Sequence, residues 1–202
     1  MTCKPNSTPL GAIPPIGIPG GAPEQATPRQ SAAAERNRQP ILEALQQVLP
    51  AHGVALEIAS GTGQHLAFFA AELPGWAWQP SDAVADAFGS IAAWCRQAGV
   101  ANARPPVVLD VMAPMWPSDG AQFTQAFDAI FCANMLHIAP WAACAALMRG
   151  AARYLAPQGM LVTYGPYLEH GVPTAPGNLD FDRSLRQRNP AWGIRFLESV
   201  GR

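Results

Sequence analysis

Five short apolar runs, residues 54–59, 76–78, 107–109, 127–132 and 160–164, alternate with helix-like stretches at 64–73, 84–98 and 141–155. Strand alternating with helix predicts parallel pairing through right-handed crossovers, hence an α/β, doubly wound sheet with helices on both faces. Ahead of the first run, Ser31 is a capping residue followed by Ala-rich sequence. Ile41, Leu42, Leu45, Val48 and Leu49 are spaced for one buried helical face, and Pro50 and Gly53 close that helix. No internal repeat is visible. With 202 residues the chain holds one domain with a single sizeable core, expected over residues 31–202.

Composition removes several partner classes. Thirteen Lys and Arg against fourteen Asp and Glu leave a net charge of −1, so no field draws the chain to nucleic acid or to a membrane surface. The longest apolar-looking stretch, residues 134–148, is broken by His137 and Pro140 and falls short of the ~20 residues a span needs. Cys3, Cys95, Cys132 and Cys144 fit neither a zinc spacing nor a small disulfide scaffold. No metal is expected, and reduced thiols in a cytoplasmic protein are. Residues 1–30 carry seven Pro and four Gly and no aromatic residue, which predicts a disordered tail. Pro14 and Pro15 interrupt the one stretch that resembles a signal peptide.

In a doubly wound sheet, ligands bind beyond the carboxyl ends of the strands, where the strand order reverses. The turn after the first run reads Leu56-Glu-Ile-Ala-Ser-Gly-Thr-Gly-Gln-His65: a strand ending in an acid, a small-residue turn, then a helix. Glycine at 61 and 63 tolerates positive φ and lets backbone approach a ligand closely. A dinucleotide fingerprint requires a third glycine where Leu66 stands, and a phosphate loop requires a lysine, whereas Lys4 is the only one in the chain. A merely structural strand-to-helix turn is the plain alternative.

The pattern Glu57-x-Ala59-x-Gly61-x-Gly63 resembles the first motif of class I S-adenosylmethionine-dependent methyltransferases, with Ala59 in place of the usual glycine. Ala34-Glu-Arg-Asn37 with Pro40-Ile-Leu42, Trp78-Gln-Pro-Ser-Asp82 and Asn134-Met-Leu-His-Ile-Ala-Pro-Trp141 together resemble a bacterial domain-of-unknown-function group related to methyltransferase-like protein 26. The resemblance runs from about residue 31 to about residue 200. It implies a Rossmann-like, mostly parallel sheet of order 3-2-1-4-5 with S-adenosylmethionine as cofactor, and the function expected on such a fold is in-line methyl transfer to an unidentified small-molecule acceptor.

It also implies roles. Glu57, Ala59, Gly61 and Gly63 would form the cofactor turn, Asp82 would accept both ribose hydroxyls, and Asp110 would face the adenine amino group with Val111 and Met112 along the ring. Asp82 as a helix N-cap, with Ser81, and Asp110 as a loop acid are the structural alternatives. Asn134, a further cofactor-binding residue, and His137 follow the fourth strand. His137 is the candidate catalytic base, against a hydrogen-bonded structural imidazole, and His65 would line the cofactor pocket. Tyr164 and Tyr167 could wall the acceptor site, Arg36, Asn37 and Arg195 could meet a carboxylate, and residues 170–195 have the look of a lid. Only 35 residues follow Tyr167, so the antiparallel strand pair of such folds is expected to be missing, through a truncated C-terminus, leaving the fifth strand as an exposed edge. Two rival readings stand: a non-catalytic scaffold on the same fold, and a nicotinamide-dependent oxidoreductase, which Leu66 disfavours.

Overall fold

The structure, a computed structural model, describes residues 26–200. Most of the expected tail, residues 1–25, lies outside the described residues. The part of that segment that is described is docked: the Arg29 amide donates to Ser90 Oγ at 2.8 Å and Trp94 Nε1 donates to the Arg29 carbonyl at 2.8 Å.

Helix α1 (Ala32–Val48) begins where the sequence predicts, with Ser31 Oγ accepting from the Ala34 amide at 3.3 Å. It ends because Leu49, which precedes Pro50, is forced into extended backbone (φ −84°, ψ 139°). Its buried face is Ala34, Ile41, Leu42 and Leu45. Val48, expected on that face, turns half-exposed into solvent at the last turn.

The remaining elements are β1 (Gly53–Ile58), α2 (Gln64–Glu72), β2 (Trp76–Asp82), α3 (Phe88–Ala98), β3 (Val107–Val108), β4 (Phe127–Ala133), α4 (Ala142–Tyr154), β5 (Leu155–Tyr164), β6 (Tyr167–Leu168), α5 (Pro176–Arg188), β7 (Arg195–Phe196) and α6 (Leu197–Val200). β1 to β5 form one parallel sheet of order β3-β2-β1-β4-β5, the order implied by the resemblance. Parallel strands covered on both faces must be apolar throughout, and Leu56, Ile58, Trp78, Ile130 and Phe131 are all buried. On one face α1, α2 and α3 enclose Leu45, Leu66, Phe69, Trp78 and Ile91. On the other, α4 packs Leu147 and Tyr154 against Leu56, Ile130 and Trp116.

Between β3 and β4 the chain forms no helix among the described residues. Trp116, 2% exposed, covers the sheet there instead. Its ring stacks on Tyr154 at 5.5 Å, its amide donates to Tyr154 Oη at 3.0 Å, and it lies so close to Gly150 that a Cβ there would fall 2.0 Å from the indole.

α4 runs directly into β5. Leu155 pairs with Phe127, the register then shifts, and Met160 to Tyr164 pair with Ala129 to Ala133. Gly159 suits this irregularity because a Cβ would sit 2.7 Å from the Phe127 carbonyl.

Among the described residues β5 is the edge of the sheet with no antiparallel pair beside it, as expected, but the C-terminal region still forms two short strands. β6 and β7 pair in parallel as a separate two-stranded sheet, Tyr167 opposite Arg195 and Leu168 opposite Phe196. A parallel pair needs a crossover of a dozen or more residues, and α5 supplies it. Asp182 and Arg186, at i,i+4 on that helix, form an ion pair at 2.8 Å.

Candidate functional site

The carboxyl ends of β1 and β4, the two central strands, carry the two non-glycine residues with positive φ among the described residues: Ala59 at 55° and Asn134 at 59°. A left-handed L-residue costs about 1–2 kcal/mol, so the fold holds strain where the strand order reverses.

The turn after β1 is stitched to the end of β2. The Ser60 amide donates to the Ser81 carbonyl at 2.8 Å, the Ser81 amide to Ser60 Oγ at 3.2 Å, and Ser81 Oγ to the Glu57 carbonyl at 2.7 Å. The Gly61 amide donates to Asp82 Oδ2 at 2.9 Å. From the helical side, Ser90 Oγ donates to the Thr62 carbonyl at 2.7 Å. The two glycines serve different ends. A Cβ on Gly61 would have only the Ala59 carbonyl near it, at 3.9 Å, so this backbone is bare toward the site. A Cβ on Gly63 would fall 2.6 Å from Ile91 Cα, so Gly63 lets α2 and α3 close together.

Glu57 is 2% exposed, and its Oε2 has no hydrogen-bond partner. Burial pushes its carboxyl up from 4.5 to about 7; a side-chain hydrogen bond with Ser60 opposes the rise and the nearby Asp82 charge adds to it. An unpaired buried carboxyl costs stability unless a donor or cation meets it. At the end of β2, Asp82 Oδ1 accepts from the Val84 amide at 3.4 Å, so Asp82 turns the chain into the 3-10 turn Ala85–Ala87 that precedes α3. Each of its oxygens retains a free lone pair, so the turn and a ligand contact are compatible. At the end of β3, Asp110 Oδ1 accepts from the Met112 amide at 2.9 Å. Val111, expected along a bound ring, is buried in the α4-side core, and half-exposed Met112 is the residue that presents its side chain.

The neighbouring face is built by the loop after β4 and by α5. The Asn134 amide donates to the Tyr164 carbonyl at 2.7 Å, joining the ends of β4 and β5. His137 is 5% exposed, lies edge-on to Phe181 of α5 at 5.5 Å, and accepts from the Gly193 amide through its carbonyl at 3.0 Å. Burial, and secondarily the Arg195 charge, holds its imidazole down at about 4, so it is neutral and a weak base near pH 7.

Arg195 does not wait for a carboxylate: its guanidinium donates to the carbonyls of Leu136 (3.1 Å), Ala139 (2.7 Å) and Ala191 (2.8 Å) and lies over Trp141. Arg195 therefore ties the loop after β4 to the C-terminal region. Arg36 is exposed on α1, while Asn37 Oδ1 lies 2.7 Å from His65 Nε2. Tyr164 is 37% exposed at the end of β5; Tyr167 Oη donates to Thr163 Oγ1 at 2.9 Å. No cluster of three metal-ligating side chains occurs among the described residues.

Sequence reasoning missed Ser60, Ser90 and Gln64, and read Ser81 only as a helix cap. Gln64, 2% exposed, accepts from the Ser31 amide and from Thr62 Oγ1, tying the start of α1 to the glycine turn. A signal existed: small hydroxyl residues beside two acids at adjacent strand ends imply buried polar groups needing partners.

This sheet order, with an acid-ended glycine turn at its centre and further acids at the ends of β2 and β3, defines the fold of class I S-adenosylmethionine-dependent methyltransferases. The fold is similar to that of a Nostoc punctiforme protein described as an O-methyltransferase (TM-score 0.69, 18% identity, 84% of this chain and 50% of that one). It is also similar to an O-methyltransferase family 2 protein from Planctomyces limnophilus in complex with apigenin (TM-score 0.62, 20% identity, 85% and 58%). A third is CalO1, a methyltransferase in calicheamicin biosynthesis, in its S-adenosylhomocysteine-bound form (TM-score 0.58, 14% identity, 84% and 52%). The chain thus spans 50–58% of the length of these three proteins. It belongs to the family described as "Protein of unknown function (DUF938)", whose match covers residues 28–202.

Proposed function

We propose that the protein is an S-adenosylmethionine-dependent methyltransferase acting on a small-molecule acceptor. The observation that carries this reading is Glu57: a buried carboxyl with an unpartnered oxygen, beside the bare Gly61 backbone, at the centre of a methyltransferase fold. These residues suit a ligand with a cationic end at Glu57, ribose hydroxyls at the free lone pairs of Asp82 and an adenine amino group at Asp110. S-adenosylmethionine would supply a methyl group already activated by its positive sulfur. The chain's task is then to align and to exclude water, and such positioning is worth about 7–11 kcal/mol. In this reading Asn134 contacts the cofactor and His137 faces the acceptor. With its imidazole at about 4, His137 takes a proton only from an acceptor that is already acidic.

A second reading, a ligand-binding module that does not transfer methyl groups, is favoured by that same low basicity of His137. No described helix is long and apolar enough to cross a membrane, and a cytoplasmic site of action completes the proposal. The test is calorimetry of the full chain with S-adenosylmethionine and S-adenosylhomocysteine. Saturable one-to-one binding of both is expected, and no heat or protection with either would refute both readings. Methylation of a metabolite extract by labelled cofactor then separates enzyme from binding module.

A further inference from the structure

We infer that ligand capture at the β1 turn is proton-linked, the Glu57 carboxyl giving up its proton to solvent as the positively charged end of the ligand comes against it. The inference rests on the cofactor reading above and adds to it the exchange of one cation for another.

The geometry requires some such exchange. Glu57 Oε2 has no donor, and the groups that act on this carboxyl from the elements around it bring no positive charge: Ser60 from the turn, Asp82 from β2, Cys95 from α3 and Cys132 from β4. The three ion pairs found among the described residues lie elsewhere, Arg38 with Glu35 on α1 and the Asp180 and Asp182 pairs on α5. An ionised Glu57 would therefore be a buried charge beside a second carboxylate and with no counter-charge. Burial first, and then Asp82, hold the free acid to about 7. A ligand cation supplies the missing counter-charge and favours the ionised form. In the exchange the carboxyl O–H bond breaks, its electron pair stays on oxygen, the proton passes to buffer and an ionic contact forms.

The neighbours do not blur the effect. Burial pushes Cys95 to about 11 and Cys132 to about 12, and it holds His65, on α2, down at about 4. By linkage, affinity for a cationic ligand falls about tenfold per pH unit below pH 7 and levels above it.

The experiment is calorimetry of the full chain with S-adenosylmethionine, and with adenosine as a probe lacking the cationic end, at pH 6 in two buffers of different ionisation enthalpy. The expected result is release of about one proton with S-adenosylmethionine and none with adenosine, and a Glu57→Gln variant whose weaker affinity no longer changes between pH 5.5 and 7. S-adenosylmethionine binding with the same heat in both buffers overturns the inference while leaving the cofactor reading intact. Proton release with adenosine as well overturns it too, because the proton then answers to something other than positive charge. No binding at any pH from 5.5 to 8 overturns the cofactor reading and this inference together.

Discussion

Replacing Glu57 by Gln should stabilise the protein in the absence of any ligand, and by an amount that depends on pH. The amide matches the neutral acid in size and polarity, so the substitution removes only the capacity to ionise. An unfolded carboxyl titrates at the ordinary 4.5 and the folded one near 7, so between these values the folded chain keeps a proton that the unfolded chain has lost. Wild-type stability therefore falls as pH rises through that window and is level with respect to this group above it. Each pH unit between the two values corresponds to about 1.4 kcal/mol, which makes the cost of ionised Glu57 about 3 kcal/mol at pH 8 and about 1 kcal/mol at pH 5. For a domain of this size 1 kcal/mol moves Tm by about 2–4 °C, so Glu57→Gln should melt about 6–12 °C above wild type at pH 8 and only about 2–4 °C above it at pH 5. Melting followed by circular dichroism from pH 5 to 8 reads both curves. Parallel Tm profiles for the two proteins would refute the account of Glu57 as an unpaired buried acid.

Asp82→Asn should weaken S-adenosylmethionine binding by about 1.5–3 kcal/mol, the range for hydrogen bonds to charged groups, and unchanged calorimetric affinity would remove Asp82 from the site. Gly63→Ala should destabilise by more than Gly61→Ala, because both pay about 1–2 kcal/mol for positive φ and only Gly63 also meets Ile91; equal denaturant midpoints would contradict the packing role given to Gly63. Trp116→Ala should cost about 3–5 kcal/mol in urea unfolding, since the indole has no helix to replace it over the sheet. A chain beginning at Ser31 loses the Arg29 bonds to Ser90 and Trp94 and should be less stable by about 1–3 kcal/mol, a loss that a chain beginning at residue 26 avoids.

The sheet was legible because its elements follow from local pattern: each apolar run is a strand, the central ones β1, β2 and β4 buried and the edge strands β3 and β5 part-buried, and the turn after residue 58 bears its acid and glycines in plain sequence. Long-range pairing was not. β6 and β7 are two residues each and lie 27 positions apart at Leu168 and Arg195, so no periodicity announces them. The site divided along the same line. Glu57, Gly61 and Asp82 sit at strand ends that the alternation locates, and the Gly61 to Asp82 hydrogen bond brings two of them together. Arg195, read as a ligand-binding cation, proved to be held by two carbonyls of the distant loop after β4 and by the Ala191 carbonyl four residues before it, a role set largely by the folding of α5 and β7 against that loop. Val111 failed for a related reason, since a residue one position beyond Asp110 can point to either side and here points to Trp116 and the core.

The segment that Trp116 anchors also carries Asp110, and this couples two parts of the molecule in time. Beyond the two-residue β3, the segment is held by scattered bonds, such as the Ser118 amide to the Val108 carbonyl and the Phe123 amide to the Trp116 carbonyl, with the indole as its largest buried side chain, beside Leu109 and Val111. Such a unit opens as a whole when its anchor withdraws, well below the free energy of global unfolding. Amide hydrogens from residue 109 to residue 126 should accordingly exchange together and ahead of those in β1 and β4. A ligand that touches only Asp110 would then slow exchange throughout that stretch, so its protection pattern would extend to backbone that the ligand never contacts.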